Sequence, residues 1–487
     1  MDLRTRTRFL VATGLILLAA PSLAGDPGAP QKSVTEQLLD ILREQGTIDE
    51  ARYEALKRQA AEEQRQLEQK AVERAKAAEA LPPVAAEPAK SSEAATTVAA
   101  VPARPAGEDW TIDYKEGLRF ERNDGLYKLH LGGLIQWDFA GISTDQDLKD
   151  DGFNNQGTGE EFRRARLLAD GQFGEYAIFK AQYDFAGGDA NFADVYVGLQ
   201  NIPYVGQIRI GHFKEPMSLN ILTSDEYITT FLERALPVVA FAPNRNTGIA
   251  IYNNAFDERM TWAVGGFRDA NDFGDGFSNH SPYNVTARIT GLPVWDQEGE
   301  TLVHVGYSYS HQFRDNEDLS YDPYPEVHLS GPIVDTGDIP SHGADLFGVE
   351  LATVMGPLSL QGELLDALVE EQRGSHQNLY GAYGEIAWFI TGEHRAYDQK
   401  KGAFGRTIVK NPFSIAKGQW GALELAARYS YLDLDEGDIR GGIENNVTAA
   451  VNWLLYSNMR LMLDYVWAHR NDVGDQNAVT TRVSIDF

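Results

Sequence analysis

The chain ends with Ala478-Val-Thr-Thr-Arg-Val-Ser-Ile-Asp-Phe487, and this stretch decides the fold. Apolar Val479, Val483 and Ile485 alternate with polar or charged neighbours such as Arg482. A period of two places successive side chains on opposite faces of a β-strand, so one face of this strand is apolar and the other is charged. The pattern fits either a strand of a membrane barrel or a half-buried edge strand of a soluble protein, and the rest of the chain decides between them.

The same alternation recurs from residue 126 onward. In the first of these segments Tyr127, Leu129 and Leu131 share one face, whereas Lys128 and His130 share the other. Most of the segments have about 9 to 13 residues, which is long enough to cross a bilayer at a tilt. Sixteen segments are predicted as strands, near 126–141, 162–173, 176–186, 193–200, 206–213, 247–253, 259–267, 283–291, 301–313, 345–354, 357–368, 379–390, 420–432, 442–455, 458–468 and 478–487.

The links between these segments alternate between long polar loops and tight turns such as Gly174-Glu175, Gly356 and Ser457. A soluble sandwich would not show this alternation, and an open sheet would leave backbone groups unpaired in hydrocarbon. We therefore predict an all-β fold over residues 108–487, a 16-stranded antiparallel transmembrane β-barrel. Its closing strand ends on an aromatic residue, Phe487. The even number of strands places both termini on one side, which we expect to be the periplasm.

Three regions are predicted to precede the barrel. Residues 1–24 resemble a secretory signal peptide, with early arginines, a short apolar core and small residues before the cleavage point. That core has about a dozen residues, too few for a membrane-spanning helix. Residues 25–80 form an amphipathic helical segment, either a coiled-coil stalk or a solvated helix without a partner. Residues 81–107, rich in Ala and Pro, form a disordered linker.

Composition argues against several functional classes. The 487 residues contain no cysteine, which excludes disulfides and thiolate chemistry, and a net charge of −28 argues against nucleic acid as a partner. There is no G-x-S-x-G or H-E-x-x-H motif and no compact Ser/His/Asp group, so we expect neither an enzyme nor a cofactor. The acidic loop 314–344 could hold Ca²⁺, but it lacks EF-hand spacing, and a solvated loop is the favoured interpretation.

The predicted inward face of the barrel carries both signs of charge. A barrel of this size encloses an aqueous channel, and rows of Arg and Lys select anions because a guanidinium binds oxyanions through paired hydrogen bonds. Alternatively, the cations pair with neighbouring carboxylates and only stiffen the wall. The inward basic residues are Arg164, Arg166, Lys180, Arg209, Arg288, Arg428, Arg460 and Arg482. The inward acidic residues are Asp170, Asp184, Asp194, Glu350, Glu363, Glu385, Glu424 and Asp464.

Two connections are unusual for their positions. The link 214–246 is rich in apolar residues, so we expect it to fold inward as a constriction loop with Glu233, Arg234 and Arg245 near the narrowest point; burial at a subunit interface is the alternative. The link 391–419 is long where a tight turn is expected and is basic. It is predicted either to fold into the lumen or to stay solvated. Its basic residues include Lys400, Lys401, Arg406, Lys410 and Lys417.

Several segments, taken in order, resemble the phosphate-selective porin O/P family. They are Phe162-Arg-Arg-Ala-Arg166, Arg209-Ile-Gly-His-Phe-Lys-Glu-Pro216, Phe231-Leu-Glu-Arg234, Asn246-Thr-Gly248, Gly421-Ala-Leu-Glu-Leu-Ala-Ala-Arg-Tyr-Ser430 and Phe487. The resemblance covers residues 108–487 and implies trimeric 16-stranded channels of the Gram-negative outer membrane, constricted by the third loop and a long periplasmic turn. It also implies an arginine ladder, matched by Arg163, Arg164 and Arg166, and a lysine cluster that pass phosphate or polyphosphate. The long loop departs from this pattern, since it has no lysine between Leu219 and Asn246.

The sequence therefore predicts a passive, homotrimeric, anion-preferring outer-membrane porin. A weakly selective general porin remains an alternative, as does a structural tether acting through the helical segment. The expected partners are outer-membrane lipid, the barrel-assembly machinery through the C-terminal strand, and peptidoglycan or a periplasmic protein for the stalk.

Overall fold

The structure is a computed structural model that describes residues 57, 110–154, 156–224, 230–269, 282–314 and 318–487. The predicted signal peptide, helical segment and linker lie outside the described residues, apart from Lys57. The chain divides into two compact units, Met1–Ala99 and Ala100–Phe487, and everything described below belongs to the second unit.

Sixteen antiparallel strands form a closed barrel in the part of the chain that the structure describes. Each strand pairs with its neighbours in sequence, and the last strand pairs with the first, for example at Arg482 opposite Asp138. The predicted sixteen-stranded antiparallel barrel is therefore confirmed. The strands are β1 (Tyr127–Thr144), β2 (Gly157–Phe173), β3 (Ala177–Asp184), β4 (Asn191–Ile202), β5 (Gly206–Lys214), β6 (Arg245–Ala255), β7 (Met260–Arg268), β8 (Tyr283–Asp296), β9 (Thr301–Phe313), β10 (Ile339–Met355), β11 (Leu358–Glu371), β12 (His376–Phe389), β13 (Ala422–Glu436), β14 (Ile439–Tyr456), β15 (Met459–Arg470) and β16 (Gly474–Asp486).

The period-two pattern sets which side chains face out. In β16, Val479 and Val483 are 48% and 39% exposed, whereas Arg482 between them is 1% exposed. The outward side chains form an apolar belt suited to lipid, and the inward ones form a polar interior. Among the described residues, no helix is both long enough and apolar enough to cross a membrane.

The connections differ at the two ends of the barrel. Tight turns such as 174–176 and 356–357 lie at one end, here called the turn end, and loops such as 215–244 and 314–338 lie at the other, here called the loop end. Three links expected to be long, near 369–378, 433–441 and 469–477, are in fact short hairpins. The strands beside them extend further than the alternation predicted, because charged residues at a barrel rim are compatible with strand pairing in water.

Smaller elements occupy the connections and the N-terminal side of the barrel. Three short helices are α1 (Gln146–Asp150), α2 (Leu219–Leu222) and α3 (Leu236–Phe241). The short strands are Trp110–Tyr114, Leu118–Arg122, Asp318–Leu319, Tyr397–Asp398 and Ala403–Phe404, and the 3₁₀ turns are Ala186–Gly188, Gln297–Gly299 and Ile415–Lys417.

The terminal Phe487 sits at the seam of the barrel. The Gly133 N–H donates to the Phe487 carbonyl at 2.6 Å, and the Phe487 N–H donates to the Gly133 carbonyl at 3.0 Å. A Cβ atom at Gly133 would lie 2.7 Å from the Phe487 ring, so this contact requires a glycine. Beyond the seam, strand Leu118–Arg122 pairs with β1 in place of β16. The N-terminal hairpin thus completes the sheet where the closing strand ends.

Candidate functional site

The loop 215–244 folds into the barrel interior. Helices α2 and α3 pack in an apolar cluster with wall residues of β10 to β13, and Leu236 and Val238 are 0% exposed. An apolar loop of this kind is stabilised by removal from water, which is the physical reason for its position. Residues 225–229, in the middle of the loop, lie outside the described residues.

Polar groups of the wall hold this loop through its backbone. Two carboxylates accept from loop N–H groups: Glu363 from Leu219 at 3.0 Å and from Asn220 at 2.8 Å, and Asp464 from Leu232 at 2.8 Å. Three wall donors bind loop carbonyls: Asn452 to Thr230 at 2.6 Å, Arg482 to Leu232 at 2.5 Å and Arg428 to Glu233 at 3.1 Å. Two of the inward carboxylates therefore hold the loop.

A second loop, described from residue 318 to residue 338, also enters the barrel, and this corrects in part the expectation of a solvated acidic loop. Its Glu326 is 2% exposed and accepts from Arg428 at 2.6 Å, Ser430 at 2.6 Å, Thr448 at 2.5 Å and the Leu236 N–H at 3.1 Å. One buried carboxylate thus joins this loop, helix α3 and two wall strands. Other acidic residues of the loop are exposed, namely Asp318, Asp322, Asp335 and Asp338. Among the described residues no cluster of three or more His, Cys, Asp or Glu is arranged to hold a metal ion.

Three inward arginines lie on the wall that the loops cover. Arg482 binds Asp138 through two hydrogen bonds of 2.7 and 2.6 Å, and Arg428 binds Glu326. Arg460 is 8% exposed on the neighbouring strand. None of the three is among the residues that line the two open cavities described below. They belong to the structural wall and not to the candidate path.

A β-bulge in β2 turns Arg163, one of the three residues of the predicted arginine ladder, toward the lumen. The register with β1 shifts between Phe162 and Arg164, which makes Arg163 the extra residue of the bulge. A strict alternation would point Arg163 away from Arg164, whereas a bulge redirects a side chain. Arg163 in consequence reaches inward and binds both carboxylate oxygens of Glu233, at 2.9 and 3.1 Å. Arg164 donates to Gln136 at 2.8 Å, and Arg166 donates to Asp184 at 2.7 Å.

The space left open between the loops and strands β2 to β8 includes two adjacent chambers that share lining residues. The loop-side chamber is a cavity of about 320 Å³ between β2 and the loop 215–244. The turn-side chamber is a cavity of about 230 Å³ that extends toward the turn end. Arg166 and Arg245 line both chambers. The basic residues of the loop-side chamber are Arg163, Arg164, Arg166, Arg234, Arg245 and His328.

The turn-side chamber is strongly basic. Among the described residues that line it, eight are Lys or Arg and one, Asp194, is acidic. Asp194 accepts from Lys180 at 2.9 Å and from Arg245 at 2.8 Å, so two cations share one carboxylate. The eight basic residues are Arg166, Lys180, Arg209, Lys214, Arg245, Arg288, Lys400 and Lys401. Four further carboxylates lie beside lining cations: Asp184 beside Arg166, Glu350 beside Arg288, Glu258 beside Lys400 and Asp398 beside Lys401. Even so, cations are in excess here.

Part of the long turn 390–421 lines this chamber at the turn end of the barrel. Ala403 and Phe404 are buried against α2 and the wall, and the Gly402 carbonyl accepts from Arg288 at 2.9 Å. Lys400 and Lys401 line the chamber, with side chains 70% and 65% exposed. The rest of the turn behaves differently: Arg406 binds Asp486, at 2.5 and 3.1 Å, while Lys410 and Lys417 are exposed and line neither chamber. The basic turn is thus divided between the lumen and the rim.

The sequence did not single out every residue of the path. Lys214 is the last residue of β5, and its ammonium donates to the Ile221 carbonyl at 2.7 Å, which ties the strand to the loop. Tyr196 and Tyr252 line the turn-side chamber. Alternation predicts that both tyrosine side chains point inward. That they lie close to each other across β5 depends on the strand register, which the sequence does not give.

Glu233, at the inner end of the loop, is the acidic residue that lines the loop-side chamber. Burial alone would raise the pKa of this carboxyl, but Arg163 and Arg482 hold the pKa well below its usual value. Tyr324 also donates to it at 2.9 Å. Glu233 is therefore ionised at neutral pH, and its charge is offset by two arginines.

This pKa shift gives a prediction about pH. Because the folded-state pKa lies below the unfolded value of about 4.3, the stability that Glu233 contributes is complete above that value and is lost as pH falls toward the folded pKa. We expect Glu233→Gln to lower the unfolding midpoint by a constant amount between pH 7 and about 5, and by less below about pH 4. Unfolding of both proteins in detergent at each pH measures the difference, so the titration of other groups cancels. A difference that grows on acidification would contradict the assignment.

Comparison with known proteins gives a family and several similar proteins. The family model described as phosphate-selective porin O and P matches residues 129–487. An uncharacterised protein of Caulobacter vibrioides is 28% identical over 404 residues, covering 79% of this chain and 78% of that protein. Porin O of Pseudomonas aeruginosa is 22% identical, covering 76% of this chain and 90% of its own. The solved anion-selective porin from Comamonas acidovorans aligns with a TM-score of 0.46 and 13% identity, over 74% of this chain and 100% of that chain.

The match to the family model spans most of the chain, including every barrel strand but the first residues of β1. The family and the closed barrel are those of channel proteins of the outer membrane, not of enzymes. The chain belongs to the phosphate-selective porin O and P family and is an outer-membrane porin.

Proposed function

We propose that this porin conducts small anions in preference to cations, phosphate among them, along the two basic chambers. The observation that carries the proposal is the lining of the turn-side chamber, where eight cationic side chains outnumber the five carboxylates that they contact, Asp184, Asp194, Glu258, Glu350 and Asp398. In a confined lumen such an excess raises the local concentration of anions. The order of cations from Arg163 to Lys401 offers successive sites, so that an anion can leave one for the next. The family description names phosphate, and the guanidinium groups present the paired donors that an oxyanion accepts.

The reversal potential of the purified porin in a planar bilayer under a salt gradient tests the proposal. Lys400→Glu with Lys401→Glu should lower the ratio of anion to cation permeability by about threefold or more, because these exposed lysines line the chamber. Lys410→Glu with Lys417→Glu is the matched control: it changes the same charge in the same turn, away from both chambers, and should have little effect. A wild-type preference for cations, or equal shifts in the two variants, would reject anion conduction along this path.

A weakly selective general porin is the second candidate, and a specific observation favours it. Six of the eight lining cations bind a carboxylate, which reduces the positive potential of the path; they are Arg166, Lys180, Arg245, Arg288, Lys400 and Lys401. Added phosphate separates the two candidates. A phosphate-preferring path should show reduced chloride current at millimolar phosphate, whereas a general porin should conduct chloride and phosphate according to their mobilities alone.

We also infer a homotrimer, and the uneven height of the wall supports the burial of one side of the barrel against partner subunits. Strands β3, β5 and β7 have 8 or 9 residues, and β10 and β14 have 17 and 18. Nine tilted residues rise about 21 Å, less than an apolar band of about 25 Å, so the low wall needs a protein partner. Chemical cross-linking in detergent should give a ladder that ends at three chains. A product that stays monomeric would contradict this inference.

The absence of cysteine allows the proposed orientation to be tested by labelling. We place the turn end and both termini in the periplasm. Asp438→Cys at the loop end should react with an impermeant maleimide on whole cells, and Glu175→Cys at the turn end should react only after the outer membrane is opened. The reverse labelling pattern would show that the barrel has the opposite orientation in the membrane.

The N-terminal regions complete the proposal. Residues 1–24 act as a signal peptide, 25–80 as a helical stalk and 81–107 as a linker, with peptidoglycan or a periplasmic protein as the partner of the stalk. Removing residues 25–107 should leave conductance intact. A loss of cell-envelope integrity with unchanged conductance would favour the structural tether.

The terminal Phe487 is proposed as the recognition point for the barrel-assembly machinery. Deleting Phe487 should therefore lower the fraction of folded porin in the membrane, and an unchanged fraction would exclude that role.

A further inference from the structure

One side of the turn-side chamber is aromatic. Tyr196 on β4, Phe213 on β5 and Tyr252 on β6 line it, and their rings meet edge to face. The centroid of Phe213 lies 5.8 Å from that of Tyr196 and 6.5 Å from that of Tyr252. Inward positions of a wide barrel normally carry polar side chains because they face water. Aromatic rings on three consecutive strands at this position therefore call for a functional explanation.

A cation is fixed within this aromatic surface. The guanidinium carbon of Arg209 lies 5.1 Å from the ring centroid of Tyr196 and 4.4 Å from that of Tyr252. Its Nε and Nη2 atoms donate to the neutral amide of Gln207, at 3.0 and 2.8 Å. The ring contacts hold Arg209 in place without supplying a carboxylate, so its positive charge stays available to a solute in the chamber. Lys180 and Arg245 line the same cavity.

The apolar character continues along the path. Leu222 of α2 and Pro216 line the turn-side chamber, and Val239 and Ala242 of the inward loop line the loop-side chamber opposite the β2 arginines. A solute that follows the path thus meets cations on one side and apolar atoms on the other. Inorganic phosphate can use only the first side. A solute with an oxyanion joined to a ring can use both, because its ring leaves water as its charge meets the cations.

We propose that the turn-side chamber is a binding site for small aromatic oxyanions, molecules in which a phosphate or carboxylate is attached to an aromatic ring. The inference rests on the proposed anion conduction and narrows it to a solute class. The oxyanion binds at Arg209 and the neighbouring basic residues, and the ring packs against Tyr252 and Tyr196. Binding is weak enough for release, since the ring contributes only a modest increment beyond the charge.

Current block by phenyl phosphate and by methyl phosphate tests this directly, because the two probes share a head group and differ in the ring. In the wild-type porin, phenyl phosphate should halve the chloride current at about a three- to tenfold lower concentration than methyl phosphate. Tyr252→Leu should remove most of this difference, whereas Tyr252→Phe, which keeps the ring, should preserve it. The wild-type comparison needs no variant and stands even if Tyr252→Leu folds poorly.

The possible failures are distinguishable. An anion-selective pore that both probes block equally would overturn the aromatic site and leave anion conduction standing. A cation-selective pore that neither probe blocks would overturn the proposed function itself. If phenyl phosphate blocks at the same lower concentration relative to methyl phosphate in the wild type and in Tyr252→Leu, the ring binds elsewhere and this chamber is rejected as the site.

Discussion

Replacing Glu326 by alanine should release two loops from the barrel wall together and increase the single-channel conductance. The Glu326 and Arg428 side chains are 0% and 1% exposed, and the carboxylate also binds Ser430, Thr448 and the Leu236 N–H. Removing one member of a buried ion pair leaves the other charge without compensation, at a cost of about 3–5 kcal/mol. Since Glu326 joins the loop 314–338 to helix α3, its loss weakens the contacts that keep both loops inside the barrel.

Single-channel recording and thermal unfolding in detergent measure the two consequences. The alanine variant should show larger and noisier current steps and a lower unfolding temperature. Glu326→Gln keeps the shape and some hydrogen bonds and should lie between wild type and alanine. Asp338→Ala, an exposed change in the same loop, is the matched control and should behave as wild type. Unchanged conductance in a destabilised Glu326→Ala protein would show that the loops do not limit the current.

The barrel could be predicted from the sequence because its physics is local. Outward residues must be apolar in lipid, so alternation such as Val479, Thr481, Val483 marks each strand. The strand ends were less accurate. Strand β10 begins at Ile339, where the pattern predicted 345, because residues at a rim are solvated and no longer have to alternate.

The residues of the path could be predicted only in part. Inward alternation predicted that Arg166, Lys180, Arg209 and Arg288 face the lumen, and in the structure all four line the turn-side chamber. It could not tell them from Arg428 and Arg482, which also point inward but lie under the loops. The difference depends on which wall the loop 215–244 packs against, and that is set by tertiary contacts such as Glu363 with the α2 N–H groups. Glu326 carried no local signal at all, since a lone carboxylate in an acidic loop resembles its neighbours.

Charge is therefore divided between the two sides of the lumen. Carboxylates such as Glu363 and Asp464 bind backbone N–H groups of the inward loop, and Asp138 and Glu326 neutralise the arginines beneath it. Some of the inward carboxylates that oppose the arginines are thus used on the covered wall, whereas Asp184, Asp194 and Glu350 pair with cations of the turn-side chamber. The chamber nevertheless keeps more cations than carboxylates. A mixed wall in the sequence becomes a basic path in the fold because the loops cover one half of it.

Arg482 is the second residue whose loss should have a large effect. Its side chain is 0% exposed and binds Asp138 through two hydrogen bonds, Glu233 at 2.8 Å and the Leu232 carbonyl at 2.5 Å. Arg482→Met keeps much of the side-chain volume but leaves two carboxylates near each other in a buried site. Of these, Glu233 retains Arg163 and Tyr324. We expect a loss of about 3–5 kcal/mol, most of it from Asp138.

A second substitution shows whether the loss comes from the uncompensated charge. Adding Asp138→Asn to Arg482→Met removes the uncompensated carboxylate. The double variant should therefore be more stable than Arg482→Met alone, although Asp138→Asn would be mildly destabilising by itself. Arg440→Met, an exposed position on β14, controls for the chemistry of the change and should cost little. Unfolding midpoints in denaturant for the four proteins measure these differences. A double variant less stable than the single one would mean that Arg482 acts mainly through packing and its bond to Leu232, and that charge compensation on the covered wall is not what keeps the loop in place.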